Sequence, residues 1–171
     1  VITGPWILNV VLSCLNIIPV QAGCQVNFLE NFFQGEKMLK LDIMTTKKDE
    51  FVDITERVAQ AIRTTNLTRG IALIYVPHTT CGLTINENAD PDVAADILLA
   101  LRRVVPDNVP YAHLEGNSAA HIKASIVGSS LQIMVEDGEL QLGRWQGIFL
   151  CEFDGPKKRH VWMQVSQSSQ L

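Results

Sequence analysis

The last third of the chain is a series of apolar segments separated by tight-turn residues, and no other feature restricts the fold more. SLQIMV ends at Asp137-Gly138, WQGIFLCEF ends at Asp154-Gly155-Pro156, and HVWMQV follows. Asp-Gly between apolar runs is a hairpin signal, because Gly takes a positive φ without steric penalty. These runs read as an antiparallel meander of strands. Upstream, strands and helices mix without the regular alternation that builds a parallel sheet.

The upstream periodicity supplies the remaining elements. Lys37 to Thr46 alternates loosely, with Leu39, Leu41 and Ile43 on one face, and reads as a strand. Asp53 or Thr55 can cap a helix running to about Arg63, with Ile54, Val58, Ala61 and Ile62 at helical spacing. Gly70 opens the strand IALIYV, which ends at Pro77, and Gly82 opens GLTIN. Asp90-Pro91 starts a second helix, since Asp caps and the missing proline N–H has no partner in a first turn. Val93, Ile97, Leu98, Leu101 and Val105 mark its expected buried stripe. A loop holding Pro106, Pro110 and Gly116 leads to a third helix, Asn117-Ser118 to Val127, closed by Gly128. The expected fold is α+β: a layered sandwich of mostly antiparallel strands with three helices.

Composition agrees with one packed domain and sets a boundary within the chain. Hydrophobic residues are 47% and charged residues 19%, a balance that excludes a disordered chain. Glu30 is the only charged residue before Glu36, so residues 36–171 form the single domain and residues 1–35 an apolar extension. The apolar run Trp6 to Val20 is interrupted by Asn9, Ser13, Asn16 and Pro19 and falls short of the ~20 residues a spanning helix needs. QAGC resembles a cleavage or lipidation site, but no Lys or Arg precedes the run. ENFFQG (Glu30 to Gly35) resembles a degraded protease-tag site, so leader, tag and disordered extension all remain open. A net charge of −4 gives no whole-chain case for nucleic acid. The four Cys form no C-x-x-C pair, which argues against a thiolate zinc knuckle or a disulfide scaffold. The expectation is a reduced, cytoplasmic protein without membrane or nucleic-acid partners.

Polar chemistry gathers in three windows. In HTTCGLTINENADPD, His78 follows an apolar strand and can face a cleft at a sheet rim, while Asn88, Asp90 and Asp92 fit a turn and a cap. Cys81 reads as a small packed residue. In HLEGNSAAH, His113 and Glu115 lie on a loop, Gly116 permits a sharp turn, and His121 sits in the first turn of the third helix. That loop can fold back to bring His113 and His121 together, and two imidazoles with a carboxylate can hold zinc with an open position. Glu115 is then either a ligand or a general base. The same helix start offers free N–H groups to a phosphate or carboxylate. In GELQLGRWQGI, Gly143 marks a tight backbone approach, Arg144 can clamp an anion, and Trp145 can stack on a ring or join the core. Lys157-Lys158-Arg159 reads as a solvated hairpin tip, and His160 as a solvent-facing residue.

HTT…LTINENADPDV, HLEGNSAAH, SLQIMVEDGELQLGRWQGI and CEFDGPKKR, in this order, resemble the YjbQ family, also called the secondary thiamine-phosphate synthase family. The resemblance runs from about Lys37 to Val165, with Arg144 standing where the family usually has Thr between Gly and Trp. It implies an α+β sandwich assembled as a homotrimer, with His78, His113 and His121 matching the family's His positions around a divalent metal, zinc or, with a diphosphate substrate, magnesium. The activity it implies is thiamine phosphate synthesis, in which a pyrimidine diphosphate joins a thiazole phosphate and pyrophosphate leaves. His78 and Glu115 would be catalytic. Asn86, Asn117, Arg144, Trp145 and Gln146 would bind substrate, with Lys123 a further cation for the leaving pyrophosphate. The competing reading is a non-enzymatic trimeric module that binds a small anionic metabolite. Whether Glu87 or Asp96 joins the site stays open.

Overall fold

The computed structural model of the chain describes residues 38–168. The extension expected over 1–35 therefore lies outside the described residues. The elements are β1 (Leu39–Met44), β2 (Glu50–Asp53), α1 (Thr55–Arg63), β3 (Arg69–Tyr75), β4 (Cys81–Glu87), α2 (Pro91–Val104), α3 (Ser118–Val127), β5 (Ser130–Glu136), β6 (Glu139–Leu140), β7 (Gln146–Glu152) and β8 (Lys158–Gln167). They form the expected α+β sandwich. A five-stranded sheet runs β1-β8-β3-β5-β6, a three-stranded sheet runs β2-β7-β4, and every pairing is antiparallel.

The strands after Gly128 do not form a meander. Only β5 and β6 are a local hairpin, turned by Asp137 (φ 53°) and Gly138 (φ 77°). β7 crosses to the three-stranded sheet and β8 returns between β1 and β3. Burial explains the crossing. Ile148 and Leu150 of β7 join the inter-sheet core, while Phe149 and Cys151 face the other way into a second cluster with Ala120 and Ala124 of α3. A strand apolar on both faces needs cover on both sides, which only the middle of the smaller sheet provides.

The inter-sheet core holds Ile43, Ala72, Ile74, Leu83, Val161 and Met163, and Val58 and Ile62 of α1 complete it. α1 starts as expected, although Asp53 rather than a residue at the cap position accepts from the Thr55 amide at 2.8 Å. α2 opens with Asp90 accepting from the Asp92 amide at 2.9 Å. Its expected stripe is only half-buried along the helix, and Val105 just beyond it is the buried member. α2 packs over β2 and β4 with Leu98 and Leu101 touching the second cluster, and Leu99 and Val104 remain exposed.

Candidate functional site

Helix α3 builds the first part of the site. Its inner face carries Ala119, Ala120, Lys123 and Ala124 against the three-stranded sheet, and its outer turn carries His121. The preceding loop is held by Tyr111, whose hydroxyl donates to the Pro106 carbonyl at 3.1 Å. Gly116, at φ 74°, donates its N–H to the His113 carbonyl and folds the loop back onto the helix start. The result is an edge-on contact between His113 and His121, ring centroids 5.4 Å apart and planes 86° apart. Tyr111, Ala112, His113, Ser118, His121 and Ile122 line a cavity of about 450 Å³.

Charged and polar groups gather at this helix start. No side chain caps α3; the Ala120 and His121 N–H groups turn back to the Asn117 carbonyl, so among the described residues the N–H groups of Ser118 and Ala119 are the ones left without a partner. Glu115 approaches His113 Nε2 at 3.7 Å. Asn117 donates to Asp154 at 3.1 Å, and its Oδ1 is buried without a partner. Lys123 is not available to a phosphate. Two residues past His121 it points the opposite way around the helix, is 1% exposed, and approaches Asp49 at 3.5 Å and Asp107 at 3.6 Å.

His78 belongs to a different cluster. The backbone N–H of His160 donates to His78 Nε2 at 2.8 Å, and the two rings stack with centroids 5.7 Å apart. An Nε2 that accepts leaves the proton of the neutral ring on Nδ1, so neither nitrogen has a lone pair for a metal. Burial first, then the charges of Arg159 and His160, hold the His78 pKa below its usual value. His160 Nδ1 bonds Asp42 Oδ1 at 2.8 Å, so His160 does not simply face solvent. Asp42 also pairs with Lys158 at 2.6 Å, and the bonds from Lys158 and His160 lower its pKa.

Arg159 is not part of a solvated tip. It is 5% exposed and forks onto the buried Glu152 carboxylate at 2.6 and 2.5 Å, with a third bond to Thr80 Oγ1 at 2.8 Å. This pair fixes the loop that carries His78. Cys81 is packed as expected, and burial pushes its thiol up to about 12. At that value it is no nucleophile.

The third window sits at the far end of the smaller sheet. Cys81 pairs with Glu152 at one end of β4 and Asn86 with Gly147 at the other, roughly 17 Å apart at ~3.4 Å per residue. Gln146 uses its amide N–H and its side-chain oxygen to close the turn on Gly143, at 2.8 and 2.7 Å. Asn86 Oδ1 accepts from the Glu87 amide. Trp145 is 55% exposed rather than core, with the Arg144 guanidinium stacked 4.8 Å over its ring.

One chain thus brings His113, His121 and Glu115 together, with the Asn117 side chain turned to Asp154. It places His78 with His160 and Asp42, and leaves Asn86, Arg144, Trp145 and Gln146 apart from both. Among the described residues no three His, Cys, Asp or Glu side chains converge as a metal-holding group. Sequence reading missed His160 with Asp42 and Arg159 with Glu152. The first of these pairs depends on β1–β8 register across 118 residues, for which no local signal exists.

An antiparallel two-sheet sandwich with a histidine-bearing helix on its smaller sheet defines a small α+β protein class. Residues 39–168 match the family described as UPF0047 protein YjbQ-like, and the chain belongs to the YjbQ/UPF0047 family. The UPF0047 protein MJ1081 of Methanocaldococcus jannaschii is 53% identical over 130 residues, 75% of this chain and 94% of that protein. The UPF0047 protein YugU of Bacillus subtilis is also 53% identical, over 75% of this chain and 98% of the relative. Among solved structures, a YjbQ/UPF0047 family protein from Clostridium acetobutylicum matches with TM-score 0.74 and 50% identity, over 75% of this chain and 99% of its own. A YbjQ-like protein from Sulfolobus solfataricus matches with TM-score 0.75 and 30% identity, over 78% of this chain and 99% of its own. Among the described residues no helix is long and apolar enough to cross a membrane.

Proposed function

We propose that this chain is a cytoplasmic transferase that acts on small phosphorylated substrates, with the thiamine phosphate synthase-like reaction as its specific form and a homotrimer as its working state. The observation that carries the reading is the His113–His121 contact beside the uncapped start of α3, bordering a cavity of about 450 Å³. Free helix N–H groups favour a phosphate, and two imidazoles can donate to its oxygens.

In that reaction the thiazole nitrogen bonds to the methylene carbon of the pyrimidine diphosphate as the carbon–oxygen bond breaks and its electron pair leaves on pyrophosphate. The attacking nitrogen loses no proton, so the site must chiefly stabilise the departing charge. His113 and His121 are the groups placed to do so, by donating to the phosphate oxygens. Glu115, 3.7 Å from His113 Nε2, orients that imidazole.

A divalent metal fits this place only in part. His113 and His121 supply two nitrogen ligands, and Glu115 or the substrate's own phosphates would complete the set. Bound zinc or magnesium would supply Lewis-acid charge to the leaving pyrophosphate.

Turnover of the pyrimidine diphosphate and thiazole phosphate pair by the full chain, followed by product chromatography, tests the proposal. Product that falls at least 100-fold in His121→Ala and in Glu115→Gln supports it. No product from the wild-type chain overturns the transferase. The second reading, a module that binds a small anion without turnover, draws on the lack of a converging third metal ligand among the described residues. It predicts thermal stabilisation by the diphosphate alone.

A further inference from the structure

Helix α2 covers a space rather than a filled core. Ala94, Ala95 and Leu98 share one face of the helix, yet no residue of α2 is buried. Two of those three side chains are single methyl groups, and against them lies a cavity of about 290 Å³ that Phe51 of β2 also lines. None of its lining residues belongs to the cavity beside His113 and His121. Side chains facing an unfilled space forgo dispersion contacts that a bound molecule of the right shape would restore. The volume lies near the lower limit of small-molecule sites, roughly 300 Å³, so the occupant must be small.

An ion pair with groups to spare forms the polar part of the lining. Asp49 is 6% exposed, its Oδ2 accepts from Arg102 Nε at 2.9 Å, and Lys123 of α3 approaches the same oxygen at 3.5 Å. The other oxygen, Oδ1, is buried with no hydrogen-bond partner. A buried acceptor left without a donor costs free energy, and in native proteins such a group commonly marks a place where something binds. Arg102 is half-exposed and spends only Nε on Asp49, so both Nη groups are free of protein partners among the described residues. Lys47 adds a second cation to the lining. Glu50, by contrast, is occupied by its own turn: it accepts from the Lys47 amide and from the Thr46 hydroxyl, each at 3.1 Å.

We propose that this cavity binds a small apolar α-amino acid. The ligand carboxylate takes the two Nη donors of Arg102 with Lys47 beside it, the ammonium donates to Asp49 Oδ1, and the side chain fills the space among Phe51, Ala94, Ala95 and Leu98. Spacing is what selects this class. Asp49 and Arg102 stand one hydrogen bond apart, and an α-amino acid carries its own opposite charges on adjacent carbons, so both charge-assisted contacts form together. A plain carboxylate would leave Oδ1 without a donor, and a plain amine would leave the guanidinium fork empty. A charged side chain would be set against the apolar lining at a desolvation cost. The assignment stands apart from the reaction proposed at His113 and His121 and uses none of its residues.

Isothermal titration of the full chain with L-leucine tests the site, with isocaproate and isoamylamine as the same body lacking one charge. Leucine should bind saturably at one per chain, and each half-ligand roughly 10-fold more weakly or worse. Arg102→Lys keeps a cation for Asp49 but loses the fork, and should weaken leucine by about 10-fold. Ala94→Leu fills the apolar end without touching an ionic group, and should abolish binding in a chain that is folded by circular dichroism. In amide NMR, leucine should move the signals of residues 47–51 and 94–102 and leave those of 113–121 in place. The site is overturned by any of four results: no saturable heat from leucine at millimolar concentration, isocaproate binding as tightly as leucine, undiminished affinity in either variant, or shifts centred on His113 and His121. None of these probes carries a phosphate, so their outcome is independent of substrate turnover.

Discussion

Arg159 and Glu152 form a two-pronged ion pair inside the sandwich, joining the end of β7 to β8 across the turn between the sheets. Thr80 and Thr45 complete it, the first accepting from Arg159 and the second donating to Glu152 at 2.9 Å. The pair holds the turn that sends the chain from one sheet to the other. It also anchors the His78 loop through Thr80.

Removing one member of such a pair strands the other. Arg159→Ala leaves the Glu152 carboxylate buried without its cation, and the expected destabilisation is about 3–5 kcal/mol. Urea unfolding followed by circular dichroism measures it. A loss below ~1 kcal/mol would show that Thr45 and the backbone N–H groups of Phe153 and Asp154 suffice.

Acid sensitivity follows from the same carboxylate. Burial pushes the Glu152 pKa up, but the Arg159 bonds, the Asp154 amide and Thr45 outweigh it and hold it below the ordinary value. A depressed folded pKa gives stability that is complete above the unfolded value of ~4.3 and lost as pH falls through the folded one. Stability of the wild-type chain should therefore fall between about pH 5 and the folded pKa. In Glu152→Gln that contribution to the slope should vanish, as thermal melts across the range would register.

For His78 the sign is the same as for Glu152, in a higher pH window. Its folded pKa is lowered, so the native state favours the neutral ring and loses stability as pH drops below ~6.5. Nitrogen NMR should find the neutral form protonated on Nδ1, with a midpoint below 6.5. A midpoint above that value would mean that the His160 N–H bond does not persist in solution.

Gly70 is required by a close approach between strands. A Cβ there would lie 2.0 Å from the Ser166 carbonyl oxygen, inside the β3–β8 pairing. Gly70→Ala must push the two central strands apart, with an expected loss of about 1–3 kcal/mol. Gly138→Ala, strained at φ 77° but meeting only the Leu67 carbonyl at an ordinary 3.7 Å, should lose less, roughly 1 kcal/mol, and comparing the two melts separates packing from backbone strain.

Cys81 offers a check on burial. With its thiol at about 12 and 1% exposure, it should resist alkylation in the folded chain and react on unfolding. Peptide mass spectrometry after iodoacetamide treatment reads this directly.

The sequence by itself determined the elements and one of the clusters. Helix starts at Asp90-Pro91 and Asn117-Ser118, the Asp137-Gly138 turn, and the meeting of His113 with His121 all depend on contacts a few residues apart, where capping and φ preferences act. Short strands escaped, because β2 and β6 are too brief to show a period. Tertiary structure alone decided which sheet each strand enters, and with it the partners of His78, Arg159 and His160. Alternation tells which residues share a face but not which strand lies beside it. Lys157-Lys158-Arg159 reads as a polar tip until β8 pairs with β1 and β3 and turns Arg159 inward onto Glu152, while Lys158 stays outside on Asp42. Strand neighbours are chosen by the burial of whole faces, a quantity summed over the chain and absent from any local window.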